Sequence, residues 1–279
     1  MDADASDEMI DHLVDFFDRT APSYDSWAGG QHERVAARLV EWANPQKGEQ
    51  VLDVGTGTGL VAHLVAPRVD PGTVIGIDLS DHMLAIARSR RAKNVQFLGM
   101  AAERLIFKPD TFDLVTMGEA LAYLSDPTDA LAEAHRVLRP GGRLAVSVQR
   151  RSLSTRAQDL FFQGLAPIAR RHYLSLPRYS SERALFGEPE VLPQLLDGAN
   201  FEVTRVTEMV TGGRSRDARE WIDLMTGAGP LPYTLISALG PRYRSELEAE
   251  VESAMDSLGD PDEAFRYHHS YLIAVALKR

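Results

Sequence analysis

The chain contains no cysteine, so neither a disulfide framework nor a thiolate zinc site can be built. It also lacks a basic surplus: 30 Lys and Arg stand against 40 Asp and Glu, for a net charge of −10. A nucleic-acid surface needs a basic stripe. The cluster Arg88, Arg90, Arg91 and Lys93 sits instead at the end of one short predicted helix, where positive charge complements the helix dipole. No nucleic-acid partner is expected. No apolar run approaches the ~18 residues of a membrane-spanning helix, and internal repeats and low-complexity tracts are missing. The opening MDADASDEM is acidic and has none of the features of a signal peptide. A soluble, cytoplasmic protein, monomeric or homodimeric, is the expectation.

What is present points to one α/β domain with insertions. The length of 279 residues and hydrophobic fraction of 44% suit a sizeable core. The chain is organised around residues 51–59, VLDVGTGTG. Val51, Leu52 and Val54 read as a short buried strand. Gly55, Gly57 and Gly59 form a turn, and an apolar helix begins at Leu60. Strand, glycine turn and helix bring backbone and free N–H groups close to a ligand. The spacing is G-x-G-x-G and not the dinucleotide fingerprint, because position 60 is Leu. A second β-branched run, 73–77, ends at Asp78, 19 residues after Gly59. Doubly wound folds place there the acid that holds ribose hydroxyls. Two blander readings stand beside these: a turn with no ligand, and an exposed strand-end Asp78 that caps the next helix, which Ser80 or Asp81 could cap just as well.

The blocks VLDVGTGTGL (51–60), VIGIDLSDHML (74–84), ERLIFKPDTFDLVTM (103–117) and HRVLRPGGRLAVSV (135–148) resemble class I S-adenosylmethionine-dependent methyltransferases, of the ubiquinone/menaquinone-type small-molecule branch. The resemblance covers about a hundred residues. It implies a Rossmann-like, doubly wound seven-stranded sheet with an antiparallel C-terminal edge hairpin and helical lid insertions. The core would span 31–149, the lid segments 1–30, 150–195 and 212–264, and the edge strands 201–210 and 267–277. S-adenosyl-L-methionine is the implied cofactor, and no metal is expected. Cofactor contacts are implied for Asp53, Gly55, Thr56, Gly57, Gly59, Asp78, Leu79 and Met83. Beyond the second strand they extend to Met100, Ala101, Ala102, Glu103 and Met117. Tyr24 matches a family Tyr-Asp pair that lies over the cofactor. Ala101 stands where the family carries an acid for the adenine amino group, so backbone at Ala101 and Ala102, or Glu103, would replace it. Ala122-Tyr123 stands where the family often has His, which excludes a base at that spot.

In chain order, residues 1–8 read as disordered, and a helix is expected from Met9 to Arg19, broken by Ala21-Pro22. A second helix covers 31–43, with His32 at its start read as solvated. Strands are expected at 51–54, 73–77, 95–98, 113–117 and 143–148, and helices at 129–138 and 244–258. His268 and His269 are adjacent in a strand, point to opposite faces and cannot chelate together.

Methyl transfer from a sulfonium is an in-line displacement, so the protein mainly positions the acceptor, an effect that can supply roughly 7–11 kcal/mol. A base is needed only where the acceptor must lose a proton. Glu119, His172, Tyr173 and Tyr179 are the candidates by location. Trp27, Glu119, Tyr123, Phe161, Tyr173, Tyr179 and Trp221 are the candidate acceptor-lining residues. The expected activity is methyl transfer to a small, largely apolar or aromatic metabolite. The alternative is a methyltransferase fold that binds the cofactor but acts as a cyclase or a non-catalytic subunit.

Overall fold

The computed structural model describes residues 3–150, 154–171, 185–240 and 243–279. The chain divides into two compact units. The first is residues 1–150, 182–209 and 271–279; the second is 151–181 and 210–270. Of the expected lid segment 150–195, the described residues 154–171 lie in the second unit and 150 and 185–195 in the first.

The first unit is built on parallel strands β1 (Gln50–Val54), β2 (Thr73–Asp78), β3 (Val95–Gly99), β4 (Phe112–Gly118) and β5 (Leu138–Arg150). With β6 (Phe201–Arg214) and β7 (Arg266–Lys278) they form one sheet of order β3-β2-β1-β4-β5-β7-β6, whose C-terminal pair is antiparallel. β1 lies between β2 and β4, with Asp53 opposite Gly76 on one side and Thr116 on the other. Side chains alternate across the pleat. Leu52 and Val54 of β1, with Val115 and Met117 of β4, pack into one apolar layer. Val51 and Leu114 point into the opposite layer. Burial on both faces is what a parallel sheet requires.

Helices α1 (Ala3–Tyr24), α2 (Gln31–Ala43), α3 (Leu60–Val69), α4 (Asp81–Ser89), α5 (Pro127–Val137) and, past the β5 strand, α6 (Arg156–Arg171) and α7 (Val191–Gly198) follow the apolar periodicity. α2 and α3 contribute Leu39, Val40, Val61 and Val65 to one layer. α5 and α7 contribute Leu131, Val137, Leu192 and Leu196 to the other. Local chemistry sets the helix starts: Ser80 caps α4 by accepting from Met83 N–H at 3.0 Å, and Asp126 caps α5 ahead of Pro127.

Three expectations are corrected here. α1 begins at Ala3, where residues 1–8 read as disordered. It also runs through Pro22 to Tyr24, because a proline in the last turn forfeits one hydrogen bond without stopping the helix. β5 starts at Leu138 and absorbs Pro140-Gly141-Gly142 as an irregularity in its register with β4.

The second unit has its own core. α6, α8 (Ala218–Thr226), α9 (Pro230–Leu239) and α10 (Arg244–Asp256) pack Phe161, Leu165, Trp221, Met225, Leu235, Val251 and Met255 together. No helix among the described residues is long and apolar enough to cross a membrane.

Candidate functional site

The site sits at the carboxyl ends of β1, β2 and β4, where parallel sheets leave a crevice. Its floor is the turn after β1. Gly55, Gly57 and Gly59 all have positive φ, of 65°, 55° and 81°, a region other residues enter only under strain. Their surroundings differ. A Cβ on Gly55 would lie 2.5 Å from the Ala120 Cβ, whereas one on Gly57 would meet nothing within 4 Å. Gly57 therefore leaves space on the ligand side of the turn.

Two carboxylates shape that turn from opposite sides. Asp53 is 1% exposed. It accepts from Thr56 Oγ1 at 2.6 Å and Thr116 Oγ1 at 2.7 Å. Burial pushes its pKa up to about 6, against the pull of those two hydroxyls. Both its oxygens are engaged, so Asp53 braces the loop from behind. Asp78 accepts from the Gly57 N–H at 2.8 Å and the Ser80 N–H at 2.9 Å. Burial raises its pKa, and the Ser80 and Gly57 bonds oppose the rise.

A cavity of about 110 Å³ opens above the turn. α1 supplies an apolar wall of Ile10, Leu13, Val14 and Phe17. Asp78, Leu79, Met83, Met100, Ala102 and Glu103 line it from the β2 and β3 ends, and Glu119 and Tyr123 from the β4 end. A smaller cavity of about 40 Å³ lies beside it, lined by Tyr24, His32, Asp53, Thr56, Thr58, Leu60, Glu119 and Ser147. Tyr24, Gly55, Gly57, Gly118 and Glu119 border both.

The N-terminal segment is tied over the crevice by two acids. Asp25 accepts from Thr58 Oγ1 at 2.6 Å and pairs with Arg90. Asp18 bonds Ser80 Oγ and lies 3.0 Å from His82 Nδ1. Arg90, read from sequence as a dipole partner of α4, thus also holds the junction between α1 and α2.

His32 corrects an expectation. Its side chain is 12% exposed, not solvated, and its Nδ1 lies 3.1 and 3.2 Å from the two Glu119 carboxylate oxygens. The imidazole stacks on Tyr24 at 4.0 Å, 3° from parallel, and on Trp27 at 5.1 Å. Glu119 is itself held at φ 57°, with its N–H donating to Ser147 O at 3.0 Å and Ser147 Oγ at 3.1 Å. Burial, then the Glu119 charge, hold the Tyr24 and Tyr271 phenols well above their ordinary pKa.

The structure gathers most of the residues singled out from sequence. Of the others, Met117 is fully buried in the sheet core. Gly59 faces His63 and Phe97. Glu103 accepts from Ser125 Oγ at 2.6 Å and Asp126 N–H at 3.1 Å. Ala101 is outside the cavity lining, although its neighbours Met100 and Ala102 are in it. Phe161 and Trp221 are buried in the core of the second unit. His172, Tyr173 and Tyr179 lie outside the described residues.

Comparison with known proteins gives this geometry a family. A profile of the methyltransferase domain matches residues 52–146, from β1 into β5. Two solved structures share the fold at low sequence identity. The YcgJ protein of Bacillus subtilis is 19% identical, with a TM-score of 0.55 over 88% of this chain and 98% of its own. A Haemonchus contortus phosphoethanolamine N-methyltransferase, solved with S-adenosyl-L-methionine, is 19% identical with a TM-score of 0.54, over 94% of this chain and 57% of its own. The ubiquinone/menaquinone biosynthesis C-methyltransferase of a Marinomonas species is 31% identical over 225 residues, 75% of this chain and 89% of that relative. With its glycine turn, strand-end Asp78 and this extent of similarity, the chain belongs to the class I S-adenosylmethionine-dependent methyltransferases of the ubiquinone/menaquinone type.

Proposed function

We propose that the chain methylates carbon on a small, flat, largely apolar acceptor, a hydroxylated aromatic ring. The observation that carries this reading is the α1 wall of Ile10, Leu13, Val14 and Phe17 lying across the strand ends. Burying apolar acceptor surface there drives binding by roughly 25 cal/mol per Å². The C-methyltransferase names of relatives support carbon as the nucleophile.

S-adenosylmethionine supplies a methyl group already activated on a sulfonium. In this reading Asp78 offers a carboxylate to two vicinal hydroxyls. Leu79, half-exposed on the cavity wall, and Met100 flank the adenine. The Gly55–Gly59 turn and Tyr24 take the amino-acid end. Tyr24 stays a neutral phenol, because burial and Glu119 disfavour its ionisation, so it can donate a hydrogen bond and present an aromatic face to a cation. α1 excludes water from the activated methyl.

The test is methyl transfer from radiolabelled S-adenosylmethionine to a panel of acceptors. Reduced naphthoquinols carrying apolar tails should be labelled on carbon, and polar amines such as ethanolamine should not. Labelling of the amines alone, or O-methyl and N-methyl products in place of C-methyl ones, would overturn it.

A further inference from the structure

His32 and Glu119 are 87 residues apart in sequence and in contact in the fold. The pair stands on the wall of the smaller cavity, and Glu119 also faces the larger one. We propose that His32, oriented by Glu119, is the base that takes the proton from the methyl acceptor. The proposal rests on the reading that the acceptor is a hydroxylated ring.

The geometry fixes which nitrogen can act. A carboxylate only accepts hydrogen bonds, so the imidazole nitrogen facing Glu119 carries the proton. That nitrogen is Nδ1, placed against both carboxylate oxygens. In the neutral ring the lone pair is then on Nε2, which makes no hydrogen bond among the described residues. Orienting a histidine by an acid behind it is a recurring way to present a base.

The surroundings favour the charge that proton uptake creates. The ring stacks on Tyr24 and on Trp27, whose faces attract a cation. Glu119 supplies the counter-charge. These contacts are made before the proton arrives and strengthen as it does, which is the condition for lowering a barrier. Glu119 occupies a left-handed backbone conformation that a non-glycine residue adopts at a cost, and such strain is retained where the surroundings over-determine it.

Other groups near the pair are less suited. Tyr24 and Tyr271 are kept protonated by burial and by Glu119 itself. Asp53 has both oxygens on threonine hydroxyls, and Asp78 is bound by two backbone N–H groups. Tyr123 borders the larger cavity, and Arg34 of α2 lies near Tyr271.

In the proposed step the acceptor hydroxyl gives its proton to Nε2, and the electron pair of the O–H bond flows into the ring. A ring carbon then forms the new C–C bond to the methyl, while the pair of the old C–S bond leaves with sulfur. The ring regains its hydroxyl proton and releases the hydrogen of the methylated carbon. One proton leaves per methyl transferred, and His32 hands it on to solvent.

The experiment compares wild type, His32→Gln, His32→Asn and Glu119→Gln with a reduced naphthoquinol and labelled S-adenosylmethionine, in single turnover across pH 5 to 9. Affinity for S-adenosylhomocysteine is measured on each by calorimetry. Both His32 variants should lose roughly 10²–10⁴-fold in rate and lose the acidic limb of the pH profile, with cofactor affinity changed by less than about threefold. Ring-fluorinated, more acidic acceptors should recover much of the loss. Glu119→Gln should keep the acidic limb at a lower rate. A His32 variant with the wild-type pH profile and rate would overturn the proposal while leaving the acceptor reading intact. So would an affinity loss as large as the rate loss, which would make His32 a cofactor-holding residue. If wild type methylates only acceptors without an acidic hydroxyl, both readings fall.

Discussion

The backbone N–H of Gly57 donates to the Asp78 carboxylate at 2.8 Å, joining the turn after β1 to the end of β2. The residue that must stay bare and the acid expected to hold ribose are thus one unit. Asp78→Asn leaves a single oxygen to accept from Gly57, from Ser80 and from the ribose hydroxyls. Affinity for S-adenosylhomocysteine should fall by roughly 1–3 kcal/mol, read by calorimetric titration. An unchanged affinity in a folded variant would remove Asp78 from the cofactor site.

The two glycines flanking Thr56 should separate stability from binding. Gly55→Ala drives a methyl onto Ala120, already 2.5 Å from the Cβ position, so it should lower the thermal midpoint sharply. Gly57→Ala meets open space and carries only the left-handed backbone cost of roughly 1–2 kcal/mol. It should fold, yet bind S-adenosylhomocysteine at least about tenfold more weakly, because the methyl stands in the cavity. Thermal melts with and without ligand distinguish the two. Equal melting shifts on ligand addition for Gly57→Ala and wild type would count against this placement.

Asp53 gives a pH signature. Its folded pKa of about 6 exceeds the ordinary carboxylate value of 3.8. The native state therefore binds the proton more tightly than the unfolded chain. The contribution is complete below about pH 4, declines as the pH rises towards 6, and is gone above it. The shift of about two units corresponds to roughly 3 kcal/mol. Asp53→Asn cannot titrate, so the stability difference between wild type and variant should change by about that amount from pH 4 to 7, with wild type losing ground. Urea unfolding at each pH measures it. A pH-independent difference would mean that Asp53 ionises normally.

Trp221 tests the division of the aromatics. It is fully buried among Phe161, Phe265 and Tyr267. Trp221→Ala should destabilise the second unit by about 3–5 kcal/mol. Hydrogen exchange should show the loss in α6, α8 and α10. A variant of native stability with altered acceptor preference would instead restore Trp221 to the acceptor site.

Much of the fold was legible because each signal was local. β1 and β2 are apolar runs ended by glycines or Asp, and their bounds differ from the expected ones by a residue. The paired acid and imidazole were not legible, since no short pattern links His32 to Glu119. One signal was available: His32 lies three and four residues before Val35 and Ala36, on the stripe that continues through Leu39, Val40 and Ala43. A histidine on the buried stripe of a helix is not a solvated one. Phe161 and Trp221 were misjudged for the converse reason. Aromatics at helical spacing in an insertion fill that insertion's own core before they face a ligand. α1 ran past its expected break because a proline stops a helix only where turns remain to be lost.

The anchors of α1 also bear on how the protein is made. Asp18 reaches Ser80, 62 residues on, and Asp25 reaches Arg90, 65 residues on. α1 is thus synthesised about sixty residues ahead of the groups that hold it. Until synthesis passes Arg90, Leu13 and Phe16, 6% and 5% exposed in the folded chain, have none of these later residues to pack beneath. An apolar helix face waiting in solution is what chaperones bind and what aggregates recruit. The cover over the strand ends is therefore exposed while the stretch between Asp25 and Arg90 is being made.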